Sequence, residues 1–550
     1  MNAKRLTYSV LLLCLLSLCN CSGGSNEEAD GDASFSLNSI VVGSKSNTET
    51  FANVDPNLQI ILTFSEGVDS TTTRYITLKD TSGQFIDLQY KVSGKIVTVQ
   101  AASVLSSYST YHLSLASGVK SINNASLIAK TYTIQTALDS TDKFNRISDE
   151  DLLTLVQKQT FKYFWDFGHS TSGMARERST SGDVVTTGGT GFGIMAMIAA
   201  TERGFITRAQ SAERLLTIVN FLTNNCTRYH GAFAHWINGA TGQTVPFSTY
   251  DDGADLVETA FLFEGLLTAR AYFSEDNANE TAIRTMITSL WKSIEWTWFQ
   301  KDGSNVLYWH WSPNYGWQMN QKITGWNEAL MVYLLAASSP DYPISKEVYE
   351  NGWAQNGNIK NTSTYYNYTL PLGSAYGGPL FLAHYSFLGL KPYGLSDQYA
   401  DYWTQNQNHA LINYSYCVAN PNKYTGYSKD CWGLTASDGN SGYSAYSPTN
   451  DKGVIAPTAA ISSLPYTPEQ SMNALRFFYY KLGDKIWKDY GFVDAFNLSV
   501  PWFDTEYIAI DQGPIVVMIE NYRTGLLWNL FMNIEEIKEG YSKLGFQVSN

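Results

Sequence analysis

The sequence predicts a multidomain chain, a small all-β sandwich followed by a much larger all-α toroid of helical hairpins. Three observations lead there. The 550-residue length exceeds what one hydrophobic core organises, so at least two domains are expected. Ahead of residue 140, short runs alternate apolar and polar side chains between Gly, Ser, Asp and Pro, the period of strands in an antiparallel sandwich. Beyond Asp139 the apolar period lengthens to that of helices, and the segments carrying it follow one another as candidate hairpins.

Residues 1–20 come first. Lys4 and Arg5 precede an apolar core from Val10 to Leu18 that is too short to span a bilayer, so the segment reads as an export signal. Cys21, followed by Ser22, Gly23 and Gly24, resembles the lipidated cysteine of a bacterial lipoprotein, with Cys19 as a second position. Residues 21–34 lack apolar periodicity and read as a flexible tether. Their acidic run resembles the surface-export signals of Bacteroidetes lipoproteins. The expectation is an exported protein of the periplasm, outer membrane or cell surface that touches membrane only through its lipid.

The β domain is placed at 35–137, with strands at 58–64, 75–78, 85–90, 95–99 and 110–115. Residues 138–146 are a linker, and the helical domain occupies 147–550. Its helices are read at 149–167, 190–203, 208–223, 254–272, 280–298, 326–337, 380–389, 396–412, 468–482, 514–522 and 526–537. Ser148 caps the first, and Thr467-Pro468-Glu469 opens another. An α-solenoid is the alternative arrangement, but it needs a fixed repeat that the sequence lacks.

Loss of the leader, with its two cations and no acid, takes the net charge from −13 to −15. That charge excludes nucleic acid and anionic surfaces as partners and suits a neutral substrate. Fifteen Trp and 36 Tyr offer apolar rings with polar handles, which suit sugar faces. Cys417 and Cys431 either pair in an oxidising compartment or remain two buried thiols. Seven scattered histidines and no Cys/His ligand spacing give no reason to expect a metal or another cofactor. A monomer is expected.

Acids then interrupt the apolar segments. Asp251, Asp255 and Glu258 sit four and three residues apart beside Leu256, Val257, Ala260 and Phe261. Carried on a helix at about 100° per residue, they fall within about 60° of one another. Carboxylates so placed must be paired, protonated or functional; a solvated acidic stripe is the alternative. Glu328 is read in the first turn of an apolar helix, where a dipole-stabilising role competes with a chemical one. Asp511 is read just before a helix that carries Glu520, with Arg523 just past its end; an N-cap for Asp511 and an i,i+3 ion pair for Glu520 and Arg523 are the alternatives.

Glycosidic hydrolysis needs one acid to protonate the leaving oxygen and one carboxylate to activate water or attack the sugar. Aromatic groups flank these acids: His235-Trp236, the 308–311 run ending in Trp311, Tyr315, Trp317 and Trp326. Arg176 and Arg178 on the 173–178 loop suit either substrate hydroxyls or the carboxylates, with a surface salt-bridge set as the bland reading.

The runs 250–262, 326–336, 173–178 and 511–528 resemble, in order, those of the glucoamylase-like bacterial glycoside hydrolases, specifically the β-1,2-glucanase group called glycoside hydrolase family one hundred and forty-four. The resemblance covers roughly 145–540. It implies an (α/α)6 toroid. The order of the runs at 62–69, 90–99 and 109–115 likewise resembles bacterial immunoglobulin-like domains, which some members of that group carry ahead of the barrel. It further implies that Glu328 is an essential acid and that Asp251, Asp255 and Glu258 line the pocket. Glu328 as general acid and Asp511 as base, with Asp255 as the alternative base, is the expected assignment, in an inverting reaction on β-1,2-linked glucan or its oligosaccharides. His235, Trp236, Trp311, Tyr315, Trp317, Trp326, Arg176, Arg178, Glu520 and Arg523 are the remaining candidates for holding sugar. An α-glucan-cleaving glucoamylase, a non-catalytic glycan-binding lipoprotein and a polysaccharide lyase are the competing readings; the lyase's acidic substrate fits poorly with the chain's charge.

Overall fold

The computed structural model describes residues 35–549. The expected leader, Cys21 and the tether lie outside the described residues. The chain divides into one unit ending at Leu138 and another beginning at Asp139.

Among the described residues the first unit holds ten strands: β1 (Leu37–Val42), β2 (Lys45–Ser46), β3 (Thr50–Val54), β4 (Gln59–Phe64), β5 (Ile76–Asp80), β6 (Phe85–Ile86), β7 (Leu88–Ser93), β8 (Ile96–Ala101), β9 (Thr110–Leu115) and β10 (Lys130–Thr136). They form two five-stranded sheets, ordered β2-β1-β4-β8-β7 and β3-β10-β9-β5-β6. Pairing is antiparallel except between β3 and β10. Alternation does the sorting: Ile60, Leu62 and Phe64 of β4 and Val97 and Val99 of β8 turn into one core with Leu113, Leu115 and Ile134 from the other sheet. Strand β10 went unread because Thr alternates with its apolar residues, and Thr136 is itself buried, its hydroxyl donating to Ser106 O.

The second unit is a double ring of helices. Its members are α1 (Asp149–Trp165), α2 (Thr187–Glu202), α3 (Arg208–Asn224), α4 (Leu256–Tyr272), α5 (Ala278–Lys292), α6 (Leu330–Ser338), α7 (Lys346–Asn351), α8 (Tyr402–Ala419), α9 (Pro457–Ile461), α10 (Pro468–Arg476), α11 (Gly483–Ile486), α12 (Ala509–Thr524), α13 (Leu526–Met532) and α14 (Glu535–Leu544). Helices α2, α4, α6, α9 and α12 form the inner ring. Residues 187–200 of α2, 256–269 of α4 and all of α6 are buried on every side, so these helices have no polar face. The outer helices α1, α3 and α5 bury one stripe each. Helices α2 and α4 meet backbone to backbone, where a Cβ on Gly191 or Gly265 would stand 2.1 Å from the opposing carbonyl. The ring closes through α12 against α2, giving the (α/α)6 toroid.

One of the six inner positions is not an α-helix. Residues 380–387, expected to be helical, form two 3₁₀ turns. The orphaned amides beyond them are taken by a side chain: Glu264 of α4, wholly buried, accepts from Gly389 N at 2.6 Å. Burial raises the Glu264 pKa well above its usual value. Cys417 and Cys431 are free and buried, so the two-thiol alternative describes them. Among the described residues no helix is long and apolar enough to cross a membrane.

Candidate active site

The inner helices point their N-terminal ends at one cavity of about 550 Å³, lined by Arg178, His235, Trp236, Asp251, Asp255, Glu258, His310, Glu328, Tyr385 and Tyr443 among others. Helix N-termini carry partial positive charge, so a cavity built from them favours carboxylates.

Asp251, Asp255 and Glu258 assemble differently from the expected helical face. Only Glu258 lies within α4. Asp255 is the N-cap, its Oδ1 accepting from Val257 N at 2.9 Å and Glu258 N at 3.0 Å. Asp251 lies in the preceding loop. What gathers them is a short ladder: β11 (Val184–Thr186), β12 (Trp236–Asn238) and β13 (Thr244–Val245) make one small sheet, and β14 (Ala254–Asp255) pairs β15 (His310–Trp311) with Asp255 opposite His310. His310 Nε2 is 3.3 Å from Asp251 and 3.6 Å from Asp255. His235 Nδ1 is 3.1 Å from Asp255 Oδ2, and its Nε2 is 3.9 Å from Glu258. Glu258 Oε2 accepts from Gly188 N at 2.7 Å, at the start of α2.

These contacts separate the acids. Burial alone would raise Asp255, but hydrogen bonds from His235 and His310 hold it well below the ordinary carboxylate range. Burial and the Asp255 charge push Asp251 up, and burial does the same to Glu258. Burial opposes the His235 imidazolium, yet Glu258, Asp255 and Asp251 outweigh it and carry its pKa to about 9. His310, which the sequence reading does not single out, joins Asp251 to Asp255, the acid that both histidines reach.

Glu328 stands in the turn before α6 rather than in its first helical turn. That turn is anchored: Gly325 N donates to Trp353 O, Asn327 Oδ1 accepts from Ala329 N, and the Ser386 hydroxyl donates to Glu328 O. Burial, reinforced by Asp255 and Glu258, raises the Glu328 carboxyl to about 7. Trp326 is 9% exposed and stacks on Phe387 and Tyr402, so it supports this turn and does not face sugar.

Asp511 lies within the first turn of α12, three residues earlier in the helix than the proline that was expected to open it. Its carboxyl is only 1% exposed and stands behind the cavity wall; Tyr385, which does line the cavity, donates to Asp511 Oδ1 at 3.3 Å. Burial raises the Asp511 pKa. Arg178 reaches Glu177 at 3.1 Å and Asp438 at 2.9 Å, fixing a guanidinium on the wall.

Other candidates are elsewhere. Glu520, at the far end of α12, is buried in a fork with Arg203 at 2.7 and 2.9 Å and receives Gln157 at 3.1 Å. Arg523 donates to Gln157, Thr154 and Glu150. Both are structural because α12 carries them away from the cavity on its C-terminal turns. Arg176 donates to Phe167 O and Gly182 O and lies over the Phe167 ring. Trp311, on β15 next to His310, packs edge-on to His230 and Trp298; Trp317 packs on Trp298 and Tyr308, and Tyr315 on Tyr250. None of these four lines the cavity; Trp309 and His310 do.

Among the described residues, two groups place three potential metal-ligand atoms close together, His235 with Asp251 and Asp255, and Asp438 with Asp494 and Asp504. In the first, His235 and His310 already stand as cations beside the acids, at 3.1 Å from Asp255 and 3.3 Å from Asp251. Chemically, the cavity presents a neutral-range acid, Glu328, together with the firmly ionised Asp255 in an aromatic-walled space, the equipment of glycosidic hydrolysis.

Comparison with known proteins gives the same direction. Residues 320–535 match the family profile described as "Putative glucoamylase", and residues 39–137 match a bacterial Ig-like domain. The chain is similar to the crystal structure of a putative glucoamylase from Bacteroides uniformis at 57% identity, covering 74% of this chain and 99% of that one, with a TM-score of 0.73. It is similar to an endo-β-1,2-glucanase from Chitinophaga pinensis, in complex with sophorotriose and glucose, at 51% identity over 73% of this chain and 99% of that one, with a TM-score of 0.72. It is 47% identical, over 72% of its length, to an exo β-1,2-glucooligosaccharide sophorohydrolase (non-reducing end) from Parabacteroides distasonis; the chain spans 58% of that relative's length.

Proposed function

Because the chain belongs to the glucoamylase-like family of bacterial glycoside hydrolases, we propose that it hydrolyses β-1,2-linked glucan or its glucooligosaccharides. The observation that carries the reading is Glu328, a carboxyl raised to about 7 on the wall of a cavity whose other acids include the firmly ionised Asp255. An acid that is half protonated near neutrality is matched to protonating a leaving sugar oxygen.

In this reading Glu328 is the general acid and Asp511 the base. Asp255 is ill suited to the second role: both of its oxygens are engaged, and a carboxylate held that far below the ordinary range is too weak a base. Asp511 reaches the cavity through Tyr385. A water that gives its proton to the Tyr385 oxygen while Tyr385 passes its own to Asp511 becomes the attacking hydroxide, and the proton count balances. Glu328 protonates the departing oxygen, and attack from the opposite face inverts the anomeric carbon. Glu258, His235 and Arg178 hold sugar hydroxyls, with Trp236 as an apolar wall.

The two β-1,2-active relatives differ in whether they cut inside a chain or from its end, so the product profile is part of the test. The chain is incubated with linear β-1,2-glucan and, separately, with starch, and products are followed over time. Reducing sugar from the β-1,2-glucan alone is expected; release from starch alone overturns the proposal. A ladder of sizes marks internal cleavage, and a single small product marks attack from an end.

Residues 1–34 support export as a lipid-anchored protein. Labelled palmitate should enter the wild-type chain in a bacterial host and be lost in Cys21→Ser; labelling that survives that change but not Cys19→Ser moves the anchor, and no labelling in either removes it.

A further inference from the structure

Behind the Arg178 side of the cavity, four carboxylates from separate parts of the chain converge. Asp438, Asp494 and Asp504 each bring one oxygen to within 4.8 Å of the others. Oxygens sharing one Ca²⁺ at about 2.3–2.6 Å stand at most about 5 Å apart, so the spacing is that of a single ion's ligands.

The hydrogen bonds leave this cluster short of donors. Asp438 takes Arg178 at 2.9 Å. Asp494 Oδ2 accepts from Asp438 N at 2.7 Å, and Asp504 Oδ1 from Thr505 N and Glu506 N at 2.7 and 3.2 Å. Asp494 Oδ1 and Asp504 Oδ2 are buried with no partner. A carboxylate from another element joins them: Asp511, from α12 and only 1% exposed, is within hydrogen-bond reach of Asp494, and since two ionised carboxylates supply no donor to each other its Oδ2 is left without one as well. Arg178 is the one cation bonded to the cluster among the described residues, and it is shared with Glu177. Unpaired oxygens of buried carboxylates demand a cation or a proton.

We propose that Asp438, Asp494 and Asp504 bind a hard divalent cation, Ca²⁺ in the first instance, with Asp511 facing it from the helix side. The ligand set is all oxygen and irregular, which suits Ca²⁺; it lacks the His and Cys nitrogen and sulfur that select zinc. Such an ion ties together three loops and, through Asp438, holds Arg178 at its place on the cavity wall. The site borders the proposed base Asp511 but does not rest on that role, and metal binding is read independently of which glucan is cleaved.

The test uses the full chain, stripped with a chelator, returned to metal-free buffer, and titrated calorimetrically with CaCl₂, then in separate runs with MgCl₂ and MnCl₂; metal content is read by mass spectrometry. One Ca²⁺ per chain is expected, with a Tm raised by several degrees. Asp504→Asn, at a part-buried position, is expected to weaken binding at least tenfold while leaving the circular dichroism spectrum unchanged, and Asp494→Asn to abolish it. Asp251→Asn, in the other cluster, should leave the isotherm as it is. Binding of Mg²⁺ or Mn²⁺ in place of Ca²⁺, with the same loss in Asp504→Asn, keeps the site and changes its ion. No ion bound at millimolar concentration, or binding removed by Asp251→Asn and not by Asp504→Asn, overturns the proposal.

Discussion

Replacing Glu328 by Gln preserves the size of the side chain and removes its proton, which isolates the proposed acid. An ordinary glutamic acid with pKa near 4.5 keeps only about one carboxyl in 300 protonated at pH 7. At about 7, half are protonated, so burial multiplies the competent form by roughly 150, equivalent to about 3 kcal/mol at about 1.4 kcal/mol per pKa unit. General acid catalysis as a whole is worth about 10² to 10⁴ in rate. The expected loss in kcat/KM on linear β-1,2-glucan is therefore about 10²- to 10⁴-fold, with the thermal unfolding curve unchanged. The discriminating assay repeats the comparison on 2,4-dinitrophenyl β-sophoroside, whose leaving group departs without protonation. There the variant should lose less than about tenfold. A deficit of the same size on both substrates would refute the reasoning, because a group that only holds sugar or shapes the cavity has no preference for the poorer leaving group.

Three further outcomes follow from the same structure. In chelator-treated, metal-free protein the kcat/KM profile should be bell-shaped: Glu328 must be protonated, so rate falls as pH rises through about 7, and Asp511 must be ionised, so rate falls as pH drops through a pKa raised by burial; in Tyr385→Phe the acidic limb should move, whereas a fixed acidic limb separates Tyr385 from the base. Glu520→Gln breaks a buried fork with Arg203 and should cost about 3 kcal/mol in urea unfolding with kcat/KM of the folded protein within twofold of wild type; a selective rise in KM would return Glu520 to the substrate. Glu264 is protonated in the folded state and ionises above about pH 4.5 once unfolded, so its contribution favours folding most at low pH and declines as pH rises toward its elevated native pKa; Glu264→Gln should flatten the fall in stability between pH 5 and 8, and parallel curves for the two proteins would contradict the assignment.

The residues that reasoning from sequence placed well share a physical trait, and so do those it misplaced. Helices α2 and α4 were legible because an unbroken apolar run has few places to go except the inside of a domain. Asp251, Asp255 and Glu258 were legible as a problem in electrostatics, since acids amid Leu256, Val257 and Phe261 have to be compensated. Their geometry was not: the compensation comes from His235 and from His310, the latter opposite Asp255 across a two-residue ladder that leaves no periodic trace in the chain. Glu520 and Arg523 look, in one dimension, like another acid with a guanidinium beside a catalytic motif. They are carried to the other end of a 16-residue helix, and their partners Arg203 and Glu150 are more than 300 positions away in sequence. The same limit explains the aromatics. Neighbours on β15 turn opposite ways, so of the pair His310 and Trp311 the histidine enters the cavity and the indole packs outside it. The Asp438, Asp494 and Asp504 cluster is the extreme case: a carboxylate cage drawn from separate loops has no spacing rule to betray it, whereas zinc sites announce themselves through short Cys and His intervals. What sequence carries is the cost of burying each group; which group repays that cost is decided by the closure of the ring.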